Sequence, residues 1–180
     1  KALHIVGYNG QGFGGIETGT VRRLPLPESF DALAEHVFDR NLRRNVTAAL
    51  DAGVSVYGTT DVDAFYPLYL ATMRRHGSPQ FPRAFFAGLL AEFGSSCSLL
   101  IAEIDGERIA GLLALDHDGA RYLFANGSTR ASLDRRPNDL LYWRSVERAC
   151  ERGYDVVDFG RWEAGAGVDR FKSRFGGHTT

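Results

Sequence analysis

Three apolar runs, Ser98 to Ile104, Arg108 to Leu115 and Tyr122 to Ala125, are separated only by Asp105-Gly106 and by His117-Asp118-Gly119. Turns this short leave no room for a crossover connection, so each run must pair antiparallel with its neighbour in sequence. An antiparallel meander needs cover for its apolar faces, and helical patterns stand on both sides of it. Asp61 is placed to cap a helix carrying Phe65, Tyr66, Tyr69 and Met73 on one face and ending at His76-Gly77. Pro82 opens another, with Phe85, Phe86, Leu89, Leu90 and Phe93, that ends at Gly94. Beyond the meander, Asn138 or Asp139 caps a helix with Tyr142, Val146, Ala149 and Cys150 on one face, stopped by Gly153. Tyr154 to Phe159 reads as a further strand and Val168 to Phe175 as a short closing helix.

Upstream of Asp61 lie an apolar run (Leu3 to Tyr8), a glycine-rich loop (Gly10 to Gly15) and a strand (Thr18 to Leu26) closed by Pro25 and Pro27. Helical spacing extends from Ser29 to Ala52, with Gly53 as the stop, and Val54 to Tyr57 is a short strand. The whole reads as an α/β (α+β) layered fold with a mixed, mostly antiparallel sheet flanked by helices. Phe85, Phe86, Leu89, Leu100, Ile109, Leu113, Val146, Cys150 and Val157 are expected to share one core.

Composition excludes several classes. With 22 acidic and 21 basic residues there is no global drive towards nucleic acid or a membrane surface. No segment has the apolar length to span a bilayer, and no charged-then-apolar leader opens the chain. Cys97 and Cys150 have neither metal spacing nor a disulfide framework and read as buried thiols, which fits a reducing cytoplasm. His4, His36, His76, His117 and His178 are scattered, and no serine has a nucleophile-elbow context, so metal and triad chemistry are not expected. Gly10, Gly12 and Gly15 match a dinucleotide-binding spacing, but a strand rather than a helix follows them. The chain opens on Lys1 rather than Met and stops just past a glycine pair, and so reads as a piece of something longer.

The residues that stand out chemically cluster late in the chain. Lys1 and Lys172 are the only lysines among the 21 basic residues. An ammonium is a compact charge whose pKa falls on desolvation, whereas a guanidinium stays charged, so an interior lysine in an arginine-rich chain is a candidate for chemistry. The alternatives for it are a solvated face or a structural ion pair. Asp158 and Arg161 end an apolar strand, where side chains often face a ligand. Arg161 suits a phosphate or carboxylate, while Asp158 suits a pair that fixes the following loop. Arg135 and Arg136 precede the helix that starts near Asn138, and a helix N-terminus favours phosphate; the plainer alternative is a solvated loop. Tyr142 shares its helix's apolar face, which leaves the adjacent Trp143 to line a groove.

Three stretches carry a family resemblance: Phe65-Tyr66-Pro67-Leu68-Tyr69 through Met73 to Pro82; Asn138-Asp139-Leu140-Leu141-Tyr142-Trp143 to Arg152-Gly153; and Asp158-Phe159-Gly160-Arg161 followed by Phe171-Lys172 and Phe175-Gly176. Together they resemble the FemAB-like family, which overlaps the BioF2-like acetyltransferases and is built of GNAT-type domains. The nearest likeness is to bacterial members associated with the cell envelope and exopolysaccharide biosynthesis. The resemblance implies a GNAT-like acyltransferase domain at 58–180 whose final strands are missing, preceded at 1–57 by the tail of another GNAT-like unit with its linking helix.

It also implies transfer of an acetyl or aminoacyl group to an amine on an envelope or exopolysaccharide precursor. The donor would be acyl-CoA or aminoacyl-tRNA as a co-substrate, with no tightly bound cofactor and no metal. The acceptor would be a small molecule or a glycan- or lipid-linked amine; membrane-surface contact is compatible with this, and DNA is not a partner. Lys172 takes the catalytic position, as cation or as neutral base, with Asp158, Arg161, Trp162, Trp143, Arg135, Arg136 and Asn138 contacting substrate. Two departures stand out. Trp162 occupies the place of a usual serine, and Arg130 to Pro137 contains no glycine where GNAT enzymes carry their acyl-CoA loop. Both features suit the rival reading, a non-catalytic GNAT-like module that binds a glycan or a partner. A tRNA surface built from Arg40, Arg43, Arg44, Arg74 and Arg75 is weaker, because these arginines alternate with acidic and apolar positions.

Overall fold

The computed structural model describes residues 6–8, 13–15, 20–162 and 166–179, with side chains described for 21–160 and 167–179. Its elements in chain order are β1 (Val6–Tyr8), β2 (Phe13–Gly15), β3 (Thr20–Pro25), α1 (Phe30–His36), α2 (Arg40–Asp51), β4 (Ser55–Thr59), α3 (Val62–His76), α4 (Arg83–Phe93), β5 (Cys97–Ile104), β6 (Glu107–His117), β7 (Ala120–Ser128), α5 (Pro137–Glu151), β8 (Val156–Trp162), α6 (Ala166–Ser173) and β9 (His178–Thr179). Strands β1 and β2 pair with each other; the other seven form one sheet in the order β4-β5-β6-β7-β8-β3-β9. Part of the glycine-rich loop is therefore strand, and Gly10 and Gly12 lie outside the described residues.

The meander forms as its turns require. Asp105 and Gly106 have φ of 50° and 79°, and Asp118 and Gly119 have 47° and 69°, the handedness that matches the twist of the strands on either side. From β7 the chain crosses over through α5 to β8, which pairs parallel to β7.

Several local readings change. The helical stretch 29–52 is two helices, because Asp39 leaves the helical conformation and its side chain accepts from the Asn41 N–H at 2.6 Å, capping α2. Neither Asn138 nor Asp139 caps α5. Arg136 does so in a left-handed conformation, and Pro137, with its preset φ, opens the first turn.

Strand alternation splits the expected single core in two. Leu99, Ile101 and Leu113 meet Phe65, Tyr69 and Phe86 under α3 and α4. Leu100, Ile109, Leu112 and Val157 meet Leu42, Val46, Leu141 and Val146 under α2 and α5. Phe85 and Leu89 join the first core, and Cys150 joins the second.

The sheet does not end at β8. The place beside it is taken by β3, from the N-terminal segment, and β9 adds a short outer strand. A boundary at 57/58 falls inside β4, and residues 20–59 place two strands in the sheet and Leu24, Leu33, Leu42 and Val46 in the core that it shares with α5.

Candidate functional site: a wedge between two parallel strands

The parallel ladder between β7 and β8 runs for only Ala120↔Val156, Arg121↔Val157 and Tyr122↔Asp158. Past it, β7 stays with β6 as far as Ser128, and β8 stays with β3 as far as Trp162. Among the described residues no ladder joins β7 and β8 beyond Tyr122, so the sheet opens there towards the C-terminal ends of both strands. The crossover brings the N-terminus of α5 to the end of β7, where Asn138 reaches Ser128. In parallel sheets this end, where helix dipoles converge, is where ligands gather.

A bulge sets the course of β8 along one side of the wedge. Val21 faces Arg161 and Arg23 faces Asp158, so three steps on β8 match two on β3. The extra residue falls at Phe159-Gly160. Gly160 has φ 70°, and a Cβ on it would lie 3.0 Å from the Leu123 carbonyl oxygen. Only glycine satisfies both that backbone and that closeness. The Asp158 carboxylate accepts the Gly160 N–H at 2.9 Å and pairs with Arg23 at 3.0 Å.

Lys172 comes to the same place from α6. It is buried at 6% exposure, and its Nζ donates to the carbonyls of Phe159 (2.5 Å) and Gly160 (3.1 Å). Burial lowers its pKa to about 8; the nearby Asp158 opposes that shift and Arg22 adds to it. Phe171 and Phe175 fix α6 on each side of the lysine, packing against Tyr142 and Phe159. Lys172 and Asp158, singled out separately in the sequence, thus meet on one bulge. The backbone of Arg161 continues it, while the side chains of Arg161 and Trp162 lie outside the described residues.

A second polar group sits where β7 ends. Thr72 of α3 accepts the Ser128 N–H at 2.9 Å, and Arg75 donates to the Ser128 carbonyl at 3.1 Å. Asn138, in the first turn of α5, donates to Ser128 Oγ at 3.4 Å, and its own Oδ1 is buried with no hydrogen-bond partner among the described residues. Arg135 and Arg136 are exposed beside it. Asp139, next in the helix, is buried and holds Arg174 (2.8 Å) and Asn45 (3.3 Å). Burial raises its pKa against the pull of Arg174. Trp143 does not stand along a groove: it packs edge-on against Phe30 and Phe38 with ring centroids at 5.2 Å.

Aromatic side chains not among the expected site residues form the wall on the α4 side. Tyr122 is the register partner of Asp158, and its ring comes within 3.5 Å of where a Gly160 Cβ would stand. From Tyr122 the rings continue to Phe124, then Phe85 and Phe81, the last 47% exposed. Alternation along β7 would have put Tyr122 and Phe124 on one face; what faces them follows from the sheet order alone.

The rest of the molecule offers less. A groove of about 410 Å³ between α2, β4 and α5, lined by Leu50, Val56, Arg144, Glu147 and Arg148 among others, contains none of the expected site residues. Burial pushes the Cys97 thiol up to about 11, which disfavours the nucleophilic thiolate. Cys150 is half-buried rather than buried. Among the described residues no cluster of His, Cys, Asp or Glu could hold a metal ion, and no helix is long and apolar enough to cross a membrane.

A meander, a crossover helix and a splayed parallel pair define the chain as a GNAT-type acyltransferase fold. A family model described as an acetyltransferase (GNAT) domain matches residues 36–173, and the chain belongs to that family. No curated protein matches it. Among solved structures it is similar to FemX, with a TM-score of 0.80 at 15% identity over 89% of this chain and 59% of that one. It is similar also to the C-terminal domain of a putative lysylphosphatidylglycerol synthetase from Agrobacterium fabrum (TM-score 0.67, 12% identity, 90% and 57% covered). L-PGS from Bacillus licheniformis gives 0.64 at 11% identity, with 90% and 57% covered. At these identities the likeness is one of fold, and the chain spans less than two thirds of each of these structures.

Proposed function

We propose that the protein is an N-acyltransferase whose donor lies extended in the wedge between β7 and β8. The observation that carries this reading is the parallel ladder that stops after three pairs while both strands run on. Strand edges left without a partner present N–H and C=O groups that an amide-bearing arm can take up as an added strand would. The arm of an acyl-CoA carries such amides. Its phosphates would meet the positive end of α5 with Arg135 and Arg136, and Asn138 has an unused acceptor at the same opening. The acceptor amine would approach along Tyr122 and Phe124, attack the donor carbonyl, lose a proton and expel the thiol, with no covalent enzyme intermediate. The finer reading is an amine on a cell-envelope or exopolysaccharide precursor, in the FemAB-like manner, with aminoacyl-tRNA as the other donor class and the cytoplasm as the place of reaction.

The test is thiol release from acetyl-CoA and longer acyl-CoAs by the purified protein with a panel of amines, and aminoacyl transfer from charged tRNA in parallel. Turnover with either donor supports the reading and distinguishes the donors. Saturable binding of donor or glycan without turnover favours the second reading, a GNAT-like binding module. One observation already favours that second reading: the Lys172 ammonium is directed at two backbone carbonyls.

A further inference from the structure

We infer that Lys172 is a positioning residue, whose side chain holds the two carbonyls freed by the β8 bulge and so fixes the line along which β8 leaves β7. This rests on the reading of the wedge as the donor site. A bulge takes its extra residue out of the ladder, and backbone groups so released in the interior must find a partner or destabilise the fold. Here the carbonyls of Phe159 and Gly160 find the ammonium of Lys172, while the Gly160 N–H finds the carboxylate of Asp158.

Both ends of this arrangement are anchored. Phe175, fully buried, and Phe171 hold α6 against Tyr142 and Phe159, so the lysine stem enters from a fixed direction. Asp158 is tied in turn to Arg23 of β3. Among the described residues, the charged groups around the ammonium are Asp158 on β8 and Arg22 on β3, with Asp169 of α6 pairing with Arg22 at 3.5 Å. An ammonium that holds two main-chain oxygens of β8 influences a reacting carbonyl through the course of that strand. Loss of the clamp would let β8 relax and widen or close the wedge, which alters donor affinity before it alters chemistry.

The experiment compares Lys172→Met and Lys172→Gln with the wild-type protein, by amide hydrogen exchange and by acetyl-CoA kinetics. In the Met variant, exchange at 159–162 is expected to rise about tenfold, matching loss of one or two buried hydrogen bonds, while β5 and β6 stay protected. The KM for acetyl-CoA should rise about tenfold with kcat within about threefold, and the pH profile of kcat should keep its shape. Gln, whose carboxamide still donates N–H, should lie between Met and wild type in both readouts.

Unchanged exchange at 159–162 overturns the inference. So does a fall in kcat of about 100-fold or more at constant KM with Gln as inactive as Met, which is the signature of a direct catalytic ammonium. If the wild type turns over no donor, the wedge reading fails, yet exchange at 159–162 still decides the clamp. Should Lys172→Met not fold, the same variant with Gly160 deleted removes the bulge together with the need for its clamp. That variant is expected to fold, and its failure to do so refutes the inference.

Discussion

Lys172 shows how burial and hydrogen bonding act against each other on one side chain. Its two carbonyl partners favour a donor of either charge state, whereas the 6% exposure penalises the ammonium and brings the pKa to about 8 from 10.5. Below pH 8 the folded and unfolded chains both hold the proton, and the desolvation penalty is fully present. Between pH 8 and 10.5 the folded chain releases it while the unfolded chain keeps it, so Lys172 contributes increasing stability as pH rises. The neutral amine still has two N–H groups for two carbonyls. Chemical denaturation of wild type and Lys172→Met at pH 7 and pH 9.5 should therefore show the difference moving in favour of wild type at the higher pH. A difference that is flat, or that moves the other way, would mean that the ammonium is not desolvated. The lysine was legible in the sequence as an outlier among arginines. Its partners were not, because they are main-chain atoms that no residue pattern marks.

At the scale of elements, close backbone approach decides where α3 sits, and that in turn places Thr72 and Arg75 at the end of β7. Gly127 is the contact point: a Cβ there would collide with the backbone of Leu68 and Tyr69. Gly127→Ala must push α3 outward, with a loss of about 1–3 kcal/mol or more on urea denaturation and disturbance of the Ser128–Thr72 bonds. A variant as stable as wild type would show that α3 is free to shift. Gly160 has a different reason to be glycine, the left-handed turn of the bulge. A glycine inside a strand pattern is a recognised sign of a bulge, so this element was open to a sequence reading. The break between α1 and α2 was not, because periodicity runs through 29–52 and the interruption comes with the bond of the Asp39 N–H to the distant Arg174 carbonyl and the Asp39 cap of α2.

For the whole molecule, the N-terminal segment is structural rather than appended. Leu24 of β3 is 2% exposed, Arg22 donates to the carbonyls of Gly176 and Gly177, and Leu26 N–H bonds Asp155. Removing residues up to Leu26 leaves β8 as a free edge beside the wedge, and such edges pair with other chains. The shortened protein should sediment as a concentration-dependent oligomer, and a monodisperse monomer would contradict this role for β3. The sequence by itself determined the meander, its turns, most helix boundaries and the crossover order, because each follows from periodicity or from residues a few positions apart. Tertiary structure alone decided that β3 takes the place beside β8, that two cores flank one sheet, and that the parallel ladder stops after three pairs. Those outcomes depend on contacts across more than a hundred residues of chain, such as Arg23 with Asp158, and local pattern carries no record of which distant edge a strand will meet.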